Sequence, residues 1–514
     1  MPPIPGDIAS LPVWDVLLRH AGQARGWRPG ELLDAPDRFA DFSLRSDGPA
    51  GAGLLLDYSR QRLNGETPGF LMALARARGL EAARAALFAG EVVNPSENRA
   101  ALHPDARSAK PGNALLAEQR ERVVAFARRF RAGEVRGAGG RPLTRVVNIG
   151  IGGSDLGVRL MCSALGNANS RPVEFVAEMD GVELERALSR SDPAETLFVV
   201  CSKSFSTAET LANAYSARHW LTAALGEDAP ARHFAAVSAN AEAMAAWGIA
   251  PEMAFLMPDT VGGRYSVWSA AGLSAWLSLG SACMNEFLDG GRWMDRHFLE
   301  APLEASMPVL MGLLAFWNQS LLGCSAHLLL PYDTRLKWLP AYLQQLEMES
   351  LGKSVDAHGR PLEGKGVAAM LGVTGSSAQH SIMQWAQQGA RATSADFIAV
   401  RDGGGAYPRM HSEALRQMLA QAEALARGLP QNEIASDPLA AHKALPGGRP
   451  SSILLLERLD PWHLGALIAL YEHKVFVQAT LLGVNPFDQW GVEHAKRLAA
   501  DPSSQPPLAE LLGD

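Results

Sequence analysis

Cysteine is scarce in this 514-residue sequence. The four present, Cys162, Cys201, Cys283 and Cys324, stand 39 to 82 residues apart with no CxxC pair. That spacing argues against a disulfide framework or a zinc ribbon and reads as buried thiols in a reducing compartment. HExxH, a Cys/His cluster with metal-ligand spacing, GxSxG and GxxxxGK[ST] are also missing, so metal and serine-hydrolase chemistry are disfavoured and no metal is expected. Nor is there an excess of positive charge. Lys and Arg number 47 against 54 Asp and Glu, a net −7, which argues against a dedicated nucleic-acid or anionic-membrane surface. Basic residues that hold a phosphate must then be local. The opening MPPIPGDIASLPVWD has neither the basic nor the apolar region of a secretory signal, so the cytoplasm is expected. Two uncharged stretches, 265–285 and 305–332, are long enough to span a bilayer. The first carries five serines and the second Pro308, Asn318, Gln319 and His327. These would be costly in lipid, so buried core helices and no membrane span are expected.

What is present fits an ordinary folded protein, 47% hydrophobic and 20% charged. The length corresponds to roughly three domain-equivalents, so at least two domains are expected. Residues 1–112 mix amphipathic patterns with breaks such as SDGPAGAG and read as an arm, without a sheet of its own, wrapping the larger domain. From 113 a helical stretch precedes short apolar runs alternating with helix-like segments: VVNIGI, VEFVAEM, TLFVVCS, HFAAVS and MAFLM. Fully apolar strands alternating with helices indicate a parallel sheet covered on both faces, here a smaller domain over 113–285. VAAMLGV, FIAV and ILLLERL mark a second, larger domain over 286–514 that ends in helical segments. The fold class expected is α/β, with two doubly wound, mainly parallel domains. Ligands of such sheets sit at the carboxyl ends of the strands.

The motifs lie at such ends. GIGGSDLG (150–157) is a glycine-rich turn opening a helix, suited to an anion or sugar but also to a plain strand-to-helix turn, and its spacing is not GxGxxG. CSKSFSTAET (201–210) gathers hydroxyls around Lys203 before a helix, a donor set for a dianionic phosphate; the bland alternative is a capping box helped by Glu209. In GGRYSVWSAAGL (262–273) Arg264 is a candidate oxyanion stabiliser or a mere cap for a carbonyl. AYLQQLEMESLGKSV (341–355) ends a helix near Glu349, either a general base or a solvated surface residue. GVTGSSAQHS (372–381) is read as placing His380 at a helix start, as acid/base or as ordinary packing. In FDQWGVEHAKRLA (487–499), Gln489 and Lys496 stand two helical turns apart, so both could face one pocket.

In this order, and with NPSENRAALH (94–103), these blocks resemble the phosphoglucose isomerase (glucose-6-phosphate isomerase) family across residues 94–499. The resemblance implies two sugar-isomerase (SIS-type) domains, a homodimer, no cofactor, and conversion of glucose 6-phosphate to fructose 6-phosphate through a cis-enediol. It also implies roles. Ser202, Lys203, Ser204 and Thr207 would hold the phosphate, while Gly152, Gly153, Ser154, Gln345 and Gln489 would line the sugar site. Glu349 would be the base, Arg264 the enediolate stabiliser, and His380 and Lys496 the ring-opening groups, His380 coming from the partner subunit. Two rivals stay open on the residues alone: a nicotinamide-dependent oxidoreductase using 150–157 as a dinucleotide turn, and a non-catalytic sugar-phosphate sensor. The sequence departs from the family's usual SKTFTT, with serine at Ser204 and Ser206, and from its usual wording before His380.

Overall fold

The computed structural model describes residues 6–362 and 366–500. Two sheets organise the described residues. The N-terminal segment forms β1 (Ser43–Asp47) and β2 (Gly53–Asp57), then the small pair β3 (Val92–Asn94) and β4 (Arg99–Ala100). The first main sheet follows with β5 (Arg145–Ile149), β6 (Val173–Val176), β7 (Thr196–Cys201), β8 (Phe234–Ser238) and β9 (Ala254–Leu256). Its order is β6-β5-β7-β8-β9 and every pairing is parallel. All five apolar runs from 146 to 257 are therefore strands. Every residue of β7 and β8 is buried, the condition under which a strand loses its polar alternation.

The second sheet takes β10 (Ala326–Pro331), β11 (Ala369–Gly372), β12 (Thr393–Asp402) and β13 (Ser451–Arg458) in parallel. Its order is β1-β2-β13-β12-β10-β11. The doubly wound α/β expectation holds, with two corrections. The N-terminal segment does contribute sheet: β2 lies antiparallel on β13, with Leu56 opposite Leu454, and β1 covers β2. The SDGPAGAG break is the turn of this hairpin. The stretch 305–332 is not all helix. It runs from the helix Met307–Phe316 through a π turn at Trp317–Leu321 into β10. The remaining readings at residues 1–5 and 501–514 lie outside the described residues.

In each sheet the strand order reverses at one point, between β5 and β7 in the first and between β10 and β12 in the second. In open α/β sheets, ligands generally bind outside the carboxyl ends of the strands at such a point. The helix Pro461–Leu482 crosses the core almost wholly buried, and its charges are paired. Lys474 Nζ donates to Glu347 Oε1 at 2.6 Å, His473 lies 2.7 Å from Asp295, and Glu472 takes the Trp268 indole N–H at 2.8 Å and pairs with Arg107. Buried charges without such partners would cost several kcal/mol each, roughly. The Lys474–Glu347 pair fixes the helix Leu339–Leu351, which carries Gln345 and Glu349. No helix among the described residues is long and apolar enough to cross a membrane.

Candidate active site

Ile149 ends β5 and the chain turns through Gly152–Ser154 into the helix Leu156–Leu165. Gly152 has φ +60°, and a Cβ there would lie 2.9 Å from Gln345 Nε2. A Cβ on Gly153 would overlap the Gly263 carbonyl, so only glycine lets the 152–154 turn pack on the 263–268 turn. Ser266 Oγ donates to the Gly153 carbonyl at 3.3 Å across that contact. The close approach of Gly153 thus serves backbone packing beside Arg264.

At the end of β7 the chain passes through 202–207 before the helix Ala208–Leu225. Thr207 is the N-cap residue, but its hydroxyl makes no capping bond and pairs with Ser202 Oγ at 3.0 Å instead. Ser206 Oγ donates to Ser204 Oγ at 2.7 Å. The capping-box alternative is not what the hydroxyls do. Phe205, buried against Trp247, holds φ +52°, an uncommon backbone for a bulky residue and a conformation concentrated at ligand clamps. Lys203 Nζ donates to the Asp259 carbonyl at 2.9 Å. Burial pulls its ammonium below the ordinary lysine value, with Asp259 opposing.

Lys203 therefore touches the loop that leads to Arg264. The Arg264 side chain is buried, with all three nitrogens engaged: Nε donates to Ser350 Oγ (2.7 Å), Nη2 to the carbonyls of Pro486 (2.6 Å) and Asp488 (3.1 Å), and Nη1 to Glu349 Oε2 (3.1 Å) and Gln489 Oε1 (3.0 Å). Glu349 is one-third exposed, and its Oε1 accepts from Gln345 Nε2 at 3.3 Å. The buried Oε1 of Gln345 has no partner. Glu349 and Gln489 line one cavity of about 680 Å³, with Lys353 and Asp488 on the same wall. A carboxylate beside a fixed cation, open to a cavity, can exchange a proton while the cation holds an adjacent oxyanion.

Residues 57–510 match the family Phosphoglucose isomerase. The chain belongs to that family. It is 44% identical to a glucose-6-phosphate isomerase of Burkholderia multivorans, over 95% of this chain and 93% of that one, and 46% identical to one of Anaeromyxobacter dehalogenans, over 95% and 91%. The crystal structure of a glucose-6-phosphate isomerase from Chlamydia trachomatis superposes with a TM-score of 0.86 at 28% identity, covering 98% of both chains.

Within the family frame, the structure brings together Gly152, Gly153, Arg264, Gln345, Glu349 and Gln489, with Lys203 joined through the 259–264 loop. Two residues stand apart. His380 follows the short helix Gly375–Gln379 as its C-cap, not at a helix start, and is exposed. Gln489 and Lys496 do not share one helix: Gln489 precedes the turn Trp490–Val492, and Lys496 sits exposed on Glu493–Ala500, paired with Glu493 at 2.8 Å. Sequence reading missed Ser350, Lys353, Asp488 and the Asn94–Ser96–Asn485 cluster. Asn485 Nδ2 lies 2.8 Å from Asn94 Oδ1, Ser96 Oγ and Asp488 Oδ2. All lie within or beside motifs already singled out, but their partnerships reach far along the chain, from 86 residues between Arg264 and Ser350 to 391 between Asn94 and Asn485.

Proposed function

We propose that this chain interconverts glucose 6-phosphate and fructose 6-phosphate at the cavity lined by Glu349 and Gln489, beside the loops that leave β5 and β7. The observation that carries the reading is the Glu349–Arg264–Gln489 arrangement beside a cavity, within a chain of the phosphoglucose isomerase family. The 202–207 loop, with Lys203 and hydroxyls from Ser202, Ser204 and Thr207, binds the phosphate as a remote handle. Its binding energy orients the reacting carbons. Gly152, Gly153, Ser154, Gln345 and Gln489 line the sugar.

Glu349 removes the C2 proton of the open-chain aldose and returns it to C1, and Arg264 holds the oxygen that becomes negative in the cis-enediolate. Ring opening falls to Lys496 and His380. The exposed Lys496–Glu493 pair is worth about 0–1 kcal/mol, so an anionic sugar phosphate breaks it cheaply. His380, exposed and absent from the Glu349 cavity, reaches it from a second copy in a homodimer, and the exposed apolar residues Met348, Val355 and Trp490 at that cavity's rim support such an apposition. No cofactor takes part, and the chain works in the cytoplasm.

A coupled assay tests the reaction: fructose 6-phosphate with excess glucose-6-phosphate dehydrogenase and NADP should yield NADPH. No signal from folded protein overturns the reading. Mixing His380→Ala with Glu349→Gln under subunit exchange should restore part of the activity. Failure in a mixture that light scattering shows to be dimeric removes His380 from the shared site.

A further inference from the structure

Lys353 lies four residues beyond Glu349, past the break at Gly352. Gly352 has φ −73° and ψ 60°, and a Cβ there would overlap the Met348 carbonyl. The chain turns so tightly that Lys353 folds back toward the site instead of extending the helix. Its side chain, only 16% exposed, places Nζ 2.6 Å from both the carbonyl and Oδ1 of Asp488. The Asp488 carbonyl also accepts from Arg264 Nη2, so one oxygen is shared by the two cations. Oδ2 of Asp488 takes Ser96 Oγ at 2.6 Å and Asn485 Nδ2 at 2.8 Å. The next residue, Gln489, accepts through its side-chain oxygen from the same Arg264 nitrogen that holds Glu349. These contacts close a ring: Glu349, Arg264, the 486–489 loop, Lys353, and the short turn back to Glu349.

We propose that Lys353 is a positioning residue for the isomerisation, locking the 486–489 loop through Asp488 so that Arg264 and Gln489 are held against Glu349. This rests on the functional reading above. Without the Lys353 cation, Asp488 is a nearly buried carboxylate whose remaining partners are neutral, and the loop relaxes toward solvent. The carbonyls that aim Arg264 move with it. The phosphate loop at 202–207 shares none of these bonds, so ground-state binding should survive.

The test uses full-length Lys353→Met, which keeps the apolar stem, together with Lys353→Arg, Asp488→Asn and the double variant Lys353→Met/Asp488→Asn. Turnover is measured by the coupled assay, and binding by inhibition with sorbitol 6-phosphate, which carries the phosphate but no carbonyl to isomerise. A misplacement of this kind costs about 10- to 100-fold in kcat, while the inhibition constant should stay within about threefold. Arg should restore most of the turnover, and the double variant should fall no further than Lys353→Met alone, since both act through one contact. Turnover of Lys353→Met within about twofold of wild type, an inhibition constant rising as much as kcat falls, or additive losses in the double variant overturns the proposal. If Lys353→Met does not fold, Asp488→Asn, which removes the charge that Lys353 pairs with, should lower kcat in the same binding-neutral way, and an unchanged kcat there refutes it. An inactive wild type would instead sink the functional reading.

Discussion

Exchanging Glu349 for glutamine separates the chemistry from the architecture. Its two oxygens make one contact each, with Arg264 Nη1 at 3.1 Å and Gln345 Nε2 at 3.3 Å. A glutamine can keep its oxygen toward Arg264 and turn its amide toward Gln345, whose own Oε1 is unpartnered and can accept after the amide turns over. The hydrogen bonds are conserved, and what disappears is an ion pair on a side chain one-third exposed, about 0–1 kcal/mol of stability. The proton-accepting lone pair disappears as well. A positioned base contributes about 10²- to 10⁴-fold, so kcat should fall at least about 10²-fold, a barrier increase of roughly 2.7 kcal/mol. Isomerisation in D₂O followed by NMR is the deciding assay. Wild type should place deuterium at C2 as the single base exchanges its proton with solvent, while the variant should show neither exchange nor turnover and still bind sugar phosphate. A Gln variant that exchanges and turns over at the wild-type rate would refute the assignment and the mechanism with it.

Arg264→Lys should lower kcat by about 10²-fold or more, because an ammonium cannot fill five hydrogen bonds in a fixed fork. The melting temperature should fall too, since the Pro486 and Asp488 carbonyls lose donors. Near-normal turnover would remove Arg264 from the enediolate. Lys203→Ala should raise KM more than it lowers kcat, as expected for uniform binding of a non-reacting group; an unchanged KM would exclude Lys203 from the phosphate site. Asp460 caps the helix Pro461–Leu482. Burial works against its charge, yet His463 and the Arg458 guanidinium hold it at about 2. A depressed folded value means stability present above about pH 4 and lost as pH falls toward 2. After discounting for its partial exposure, Asp460→Asn should lose about 1 kcal/mol at pH 7. Urea melts at pH 7 and pH 3 check that the gap narrows; a constant gap refutes the charge argument.

The parallel strands could be read from the sequence because they are apolar on both faces, and Glu349 and Arg264 because a helix end and a loop set them beside glycine breaks. The β1–β2 hairpin could not. Ser43–Asp47 is polar, as an edge strand is, and Gly48 and Pro49 resemble a linker when β13 is out of view. β10 was hidden inside an uncharged run because periodicity cannot tell a buried strand from a buried helix. Lys353 sits in a motif read for its glutamate. Its partner Asp488 lies 135 residues away, a pairing no local pattern encodes.

That hairpin also bears on how the chain assembles. Asp57 is matched with Ile453, so strands made early in synthesis wait some four hundred residues for the edge they cover. Until then β2 has only β1 beside it, and an isolated hairpin is marginal in water. When β13 emerges, its free edge is a template for pairing with another chain, and the long loop closure makes that step slow. Residues 43–57 thus act as a late clasp that shields the large sheet, and a variant with a weakened hairpin should be lost to aggregation during refolding before any defect shows in its folded activity.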